Sequence, residues 1–98
     1  MQVEFIEPAS LELDDAIEYY DLQTSGLGKK FLDEVLKTIQ LINQFPQLWS
    51  SNTENTRKAV LRKFPFNLIY TILEDKIYII AVAHQHREPE YWIDRLKQ

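Results

Sequence analysis

The chain has 98 residues, 45% of them hydrophobic and 27% charged, which is room for one globular domain, expected over residues 1–98. It has no cysteine, so disulfide frameworks and thiolate chemistry are excluded. No apolar run approaches the roughly 18 residues of a membrane span, and "MQVEFIEPAS" has no basic segment leading into an apolar one, so a cytoplasmic protein is expected.

The net charge of −4 is unevenly spread. Residues 1–56 carry ten Asp/Glu against three Lys (−7), whereas residues 57–98 carry five Asp/Glu against eight Lys/Arg (+3). Such asymmetry marks either an anion-facing side or acids gathered on exposed helices.

In chain order, "VEFIE" (3–7) reads as a first strand. Pro8 or Ser10 opens a helix in which Leu13, Ala16, Ile17 and Tyr20 recur at helical spacing. "QTSGLG" (23–28) breaks it, and Ser25 is placed to cap the next helix. There Phe31, Leu32, Val35, Ile39 and Ile42 form one stripe, which Phe45-Pro46 ends. The two helices predict a hairpin with a shared apolar seam.

Residues 47–56 read as a polar connection without periodicity, followed by strands at 57–64, 66–73 and 76–84. Only Glu74-Asp75 separate the last two, which predicts a tight hairpin. Simple alternation sets Ile77, Ile79, Ala81 and Ala83 on one face of the final strand, and Tyr78, Ile80, Val82 and His84 on the other. Both faces are apolar, so this strand is expected to be central, with the helices on one face. "EYWIDRLKQ" predicts a short terminal helix. The fold class expected is α+β, in the order β-α-α-β-β-β with a final short α, as one mainly antiparallel sheet covered by the helical hairpin.

Chemistry-bearing groups collect where the last long strand ends. His84, His86, Arg87 and Tyr91 lie in "AVAHQHREPEYW", and strand-end loops on a rigid scaffold commonly carry function. His84 has a side chain suited to moving a proton near neutral pH, and Arg87 can hold a phosphate in a two-pronged bond. Arg57, Lys58, Arg62 and Lys63 are expected on a neighbouring strand, giving a cationic rim able to bind RNA or another phosphate. Structural readings stand beside these. His84 can be a satisfied core histidine, Arg87 a surface ion-pair member, and Tyr91 and Trp92 packing residues. The 57–63 cations can likewise be edge-strand charges that oppose aggregation. His84-x-His86 lacks a third metal ligand, so no metal and no cofactor are expected.

Taken together, "PASLELDDAIEYY", the glycine before "KKFLDEVLKTI", Pro46, and "RKAVLRKFPFNLIYTILEDKIYIIAVAHQHREPEYWIDRL" resemble the RelE/ParE superfamily of type II toxin–antitoxin systems. The plasmid-stabilisation, ParE-like branch is the nearest pattern, and the resemblance runs nearly the full length. It implies a toxin neutralised by a cognate antitoxin whose C-terminal segment, disordered alone, folds around it. RelE-like members cut messenger RNA on the ribosome and ParE-like members poison DNA gyrase. For the RNA-cutting branch the resemblance carries Tyr91 over as the C-terminal tyrosine, Arg87 as the arginine before it, and Arg62 or Lys63 as a strand lysine. Asn67 and Gln85 stand where that branch has arginines, which would remove charge that stabilises the reacting phosphate. The RNA-cutting members are also usually basic. A ribosome-dependent endoribonuclease would therefore need His84, with Arg57 and Arg87, to take over the missing roles. The alternative is a repurposed, non-toxic member that only binds a protein partner.

Overall fold

The computed structural model describes residues 1–53 and 55–97. Glu54, in the expected polar connection, and Gln98, at the end of the expected terminal helix, lie outside the described residues. The elements run β1 (Gln2–Phe5), α1 (Glu7–Gln23), α2 (Leu27–Gln44), β2 (Ser51–Thr53), β3 (Thr56–Val60), β4 (Phe66–Leu73) and β5 (Lys76–His84), then one 3-10 turn (Ile93–Leu96). The five strands form one sheet in the order β1-β5-β4-β3-β2. β1 runs parallel to β5, and every other neighbouring pair is antiparallel.

The helical hairpin covers one sheet face. Ala16 and Tyr20 of α1 and Phe31, Val35 and Ile42 of α2 are buried against Ala59, Leu68, Tyr70, Ile77, Ile79 and Val82. At the hairpin's crossing Tyr20, Phe31, Phe64 and Phe66 pack ring to ring, with centroids 5.0 to 6.1 Å apart. Such aromatic contacts add stability beyond the area they bury. The turn between the helices is closed by Asp21, whose carboxylate accepts the Gly26 and Gly28 N–H groups at 3.1 and 3.0 Å. Asp21, not Ser25, thus satisfies the start of α2, because Gly26 adopts a left-handed φ of 88° that aims the backbone back toward α1.

The second face is covered only in part. Ile69, Ile80, Ala81 and Ala83 are buried beneath Trp92, with Tyr91 and Leu96 packed alongside. The segment after β5 therefore folds back over the sheet end, as a single 3-10 turn in place of the expected α-helix.

Several sequence expectations need correction. β2 lies inside the 47–56 stretch that read as a plain connection. The strand expected at 57–64 spans Thr56–Val60, and residues 61–65 instead turn, with the Leu61 N–H donating to the Phe66 carbonyl at 3.0 Å. β3 does not neighbour β5, since β4 lies between them. Alternation along β5 is broken by a bulge: Ile69 faces Ala81 while Tyr70 faces Ile79, leaving Ile80 as the extra residue. Ile80 and Ala81 consequently both meet the second face, and Val82 returns to the helix side with Ile77 and Ile79. At the Glu74-Asp75 turn both residues take left-handed φ values, 52° and 63°, as a two-residue hairpin of type I′ requires.

Candidate functional site

The site is built around the far half of β5. β1 accompanies β5 only as far as the Phe5–Ile79 pair, after which the Ile6 N–H donates to the Ile79 carbonyl and the chain turns into α1. Beyond Ile79 the outer edge of β5 has no strand beside it among the described residues, so its backbone groups need other partners. Glu12 of α1 and Arg95 of the terminal segment supply them. Glu12 Oε1 accepts the Val82 N–H at 3.0 Å, and Arg95 Nη1 donates to the Ile80 carbonyl at 3.1 Å.

Glu12 and Arg95 also bind each other through two parallel bonds of 2.9 Å, the strong two-pronged geometry of guanidinium with carboxylate. The second oxygen of Glu12 accepts the Tyr91 hydroxyl at 2.5 Å. Burial alone would push the Glu12 carboxyl up. Its bonds from Arg95, Tyr91 and Val82 outweigh that and hold it below the usual carboxylate range. For Tyr91 burial and the Glu12 carboxylate act together, raising the phenol far above its ordinary value.

The Tyr91 ring is flanked by cations. The Arg87 guanidinium carbon sits 3.7 Å from its centroid and that of Arg95 5.2 Å. His84, on the helix side of β5, packs edge-on against Phe66 with ring centroids 5.0 Å apart. Its Nδ1 accepts the His86 N–H at 3.0 Å, which leaves the proton of the neutral ring on Nε2.

Two shallow clefts meet at Arg87. On the open face, Lys58, Asn67, Ala83, Gln85 and Tyr91 line one together with Arg87, Glu88 and Glu90. Within it Gln85 Nε2 donates to Asn67 Oδ1 at 3.3 Å, so the two amides at the expected arginine positions bind each other. On the helix side, Asp15, Ala16, Tyr19, Phe66, Val82 and His84 line the other with Arg87.

His84, Arg87 and Tyr91 are brought together as the sequence reading expects, and Lys58 reaches the same open-face cleft across β4. Arg57 is not. It pairs with Tyr70, on the helix side, and its guanidinium donates to the Trp49 carbonyl at 2.5 Å. The single cationic rim expected from Arg57, Lys58, Arg62 and Lys63 beside His84 and Arg87 is therefore split, because the adjacent β3 residues Arg57 and Lys58 face opposite sides of the sheet. Arg62 and Lys63 are exposed on the 61–65 turn, which adjoins the site end through a 2.8 Å bond from the Gln85 N–H to the Pro65 carbonyl. The Arg62 N–H is held by Glu34 of α2 at 3.0 Å. Sequence reasoning gave Glu12 and Arg95 no role, Arg95 entering only as part of the family-like 57–96 stretch, because its partner lies 83 positions away.

Chemically, the arrangement offers two cations on the open face, offset by two glutamates, and a tyrosine hydroxyl already bound to a carboxylate. No cluster of His, Cys, Asp or Glu suited to a metal occurs among the described residues. Among them, too, no helix is long and apolar enough to cross a membrane.

Comparison with known proteins identifies the family and the fold. A family model described as the ParE toxin of the type II toxin–antitoxin system parDE matches residues 3–89. Among solved structures, a chain from the chromosomal ParDE toxin–antitoxin system of P. aeruginosa superposes with a TM-score of 0.75 at 15% identity, covering 86% of this chain and 95% of that one. The isolated E. coli RelE toxin superposes with a TM-score of 0.65 at 18% identity, covering 92% and 89% respectively. No curated protein sequence matches the chain.

Proposed function

The chain belongs to the ParE toxin family of type II toxin–antitoxin systems, and from that premise we propose that it arrests growth by binding a protein target, DNA gyrase, without cutting RNA. One observation carries the reading: the Tyr91 hydroxyl is committed to the Glu12 carboxylate, and that bond together with burial holds the phenol above its ordinary value. A tyrosine so held braces the terminal segment and is poorly suited to exchange a proton with a ribose or a phosphate.

The surroundings favour the same reading. Stabilising a crowded phosphate needs donors aimed at the developing charge, and losing one commonly costs on the order of 3 kcal/mol of barrier. Here the neutral Asn67–Gln85 pair occupies that ground, and Glu88 and Glu90 line the same cleft with charge that opposes a phosphate. Lys58 and Arg87 are then surface cations for a protein contact.

A cognate antitoxin that holds the toxin inactive completes the proposal. It is supported by the family and by the similarity to a chain of the P. aeruginosa ParDE system.

The test is direct. Purified protein added to DNA gyrase in a supercoiling assay is expected to inhibit the enzyme, and induction of the chain alone is expected to stop growth with a DNA-damage response. Growth arrest with gyrase untouched and messages cut would replace this reading with the RelE-like one. Normal growth would leave a non-toxic binding module.

A further inference from the structure

Helix α1 carries six acidic residues and no lysine or arginine over Glu7–Gln23. Two of the six are occupied within the fold, Glu12 by Arg95 and Asp21 by the Gly26 and Gly28 N–H groups. Asp14, Asp15 and Glu18 are exposed, and none of them forms an ion pair among the described residues.

Interleaved with these acids are apolar side chains that face water: Leu11 is 57% exposed, Tyr19 57% and Leu22 82%. With about 3.6 residues per turn, Leu11, Asp15, Glu18, Tyr19 and Leu22 fall on one stripe of the helix. That stripe borders the helix-side cleft, to which Ala16, Phe66 and Val82 contribute further apolar surface. Exposed apolar side chains continuous with a groove are what a docking face offers a partner. The like charges among them repel any anionic occupant and attract a cationic one.

We propose that the outward face of α1, with the adjoining cleft, docks a cationic amphipathic helix of a partner protein. Its lysines or arginines would pair with Asp14, Asp15 and Glu18, and its apolar ridge would cover Leu11, Tyr19 and Leu22. The helix-in-groove mode reads anchors spaced at three and four residues, the spacing that α1 itself presents. Assigning this helix to the antitoxin rests on the function proposed above, whereas the chemistry of the surface does not. A net charge of −4, with −7 in residues 1–56, makes a basic segment the complementary one.

The experiment uses the full chain and two labelled peptides of about 18 residues, matching the ~25 Å length of α1. One peptide has a Lys/Arg polar face opposite a Leu/Phe face; the other replaces every cation with glutamate. Fluorescence anisotropy is expected to show the cationic peptide binding at least about tenfold more tightly, with affinity falling as salt is raised. The double variant D15K/E18K should weaken it by roughly tenfold, and Leu22→Ser, at a side chain almost fully in water, should weaken it independently. Equal binding of the two peptides, or affinity unchanged in D15K/E18K, overturns the proposal. So does concentration-dependent self-association abolished by D15K/E18K, which would assign the face to a second copy of the chain. Growth arrest is a separate readout: arrest without peptide preference defeats this surface alone, and peptide preference without arrest defeats the toxin reading alone.

Discussion

Glu12 and Arg95, 83 positions apart, meet in a two-pronged ion pair whose members also satisfy the Val82 N–H and the Ile80 carbonyl. The pair therefore takes the place that another strand would fill beside the far half of β5. Its position on a half-buried edge gives it more weight than a surface ion pair, since each partner left alone would keep an uncompensated charge. Glu12→Ala is expected to destabilise the protein by about 3 kcal/mol, measured as a fall in the urea midpoint. Hydrogen exchange at Val82 should accelerate in the same variant, because its N–H loses its acceptor.

The same carboxylate gives a pH dependence with a definite sign. Its folded pKa is depressed, so its contribution is fully present above the unfolded value of about 4.3. It is lost as pH falls through the lower folded value. Urea midpoints compared at neutral pH and in acid should therefore fall more steeply for the native chain than for Glu12→Gln, which has no proton to gain there.

Tyr91 separates a brace from a catalyst. Tyr91→Phe removes a hydroxyl bonded to a carboxylate and should cost about 2 kcal/mol of stability, while growth arrest on induction persists. Loss of arrest in a variant that is still folded at the growth temperature would give the hydroxyl a part in the toxic action.

Gly28 tests the helical hairpin. A Cβ at this position would lie 2.5 Å from the Ile17 carbonyl oxygen, a backbone atom that cannot swing aside. Gly28→Ala should thus push α1 and α2 apart and cost about 2 kcal/mol. Gly26→Ala meets no atom within 4 Å and bears only the strain of its left-handed backbone, so its loss in a thermal melt should be the smaller.

Much of the fold is legible in local patterns, and its departures have physical causes. The stripe Phe31, Val35, Ile42 and the limits of β4 and β5 follow from spacing and β-branched content, because those segments bury surface along their whole length. β2 escapes such reading: Ser51–Thr53 is polar, and it is a strand through backbone pairing with β3. The bulge at Ile80 is equally silent, since isoleucine and alanine suit either face, yet it decides which side chains join His84 on the helix side. Within the site, the nearness of His84, Arg87 and Tyr91 is readable from their spacing after one strand. The pairing of Tyr91 and Arg95 with Glu12 depends on tertiary contacts across nearly the whole chain. Arg57 misled because adjacent strand residues diverge, sending it to the Trp49 carbonyl while Lys58 faces the open cleft.

The most direct measurement maps the 5′ ends of cellular messages after the chain is induced alone. The expected result is arrested growth with message ends indistinguishable from those of uninduced cells, because Tyr91 is tied to Glu12 and the Asn67–Gln85 amide pair brings no positive charge to the open-face cleft. New ends within coding regions that vanish in Arg87→Ala would contradict it and identify the open-face cleft as a site of RNA cleavage.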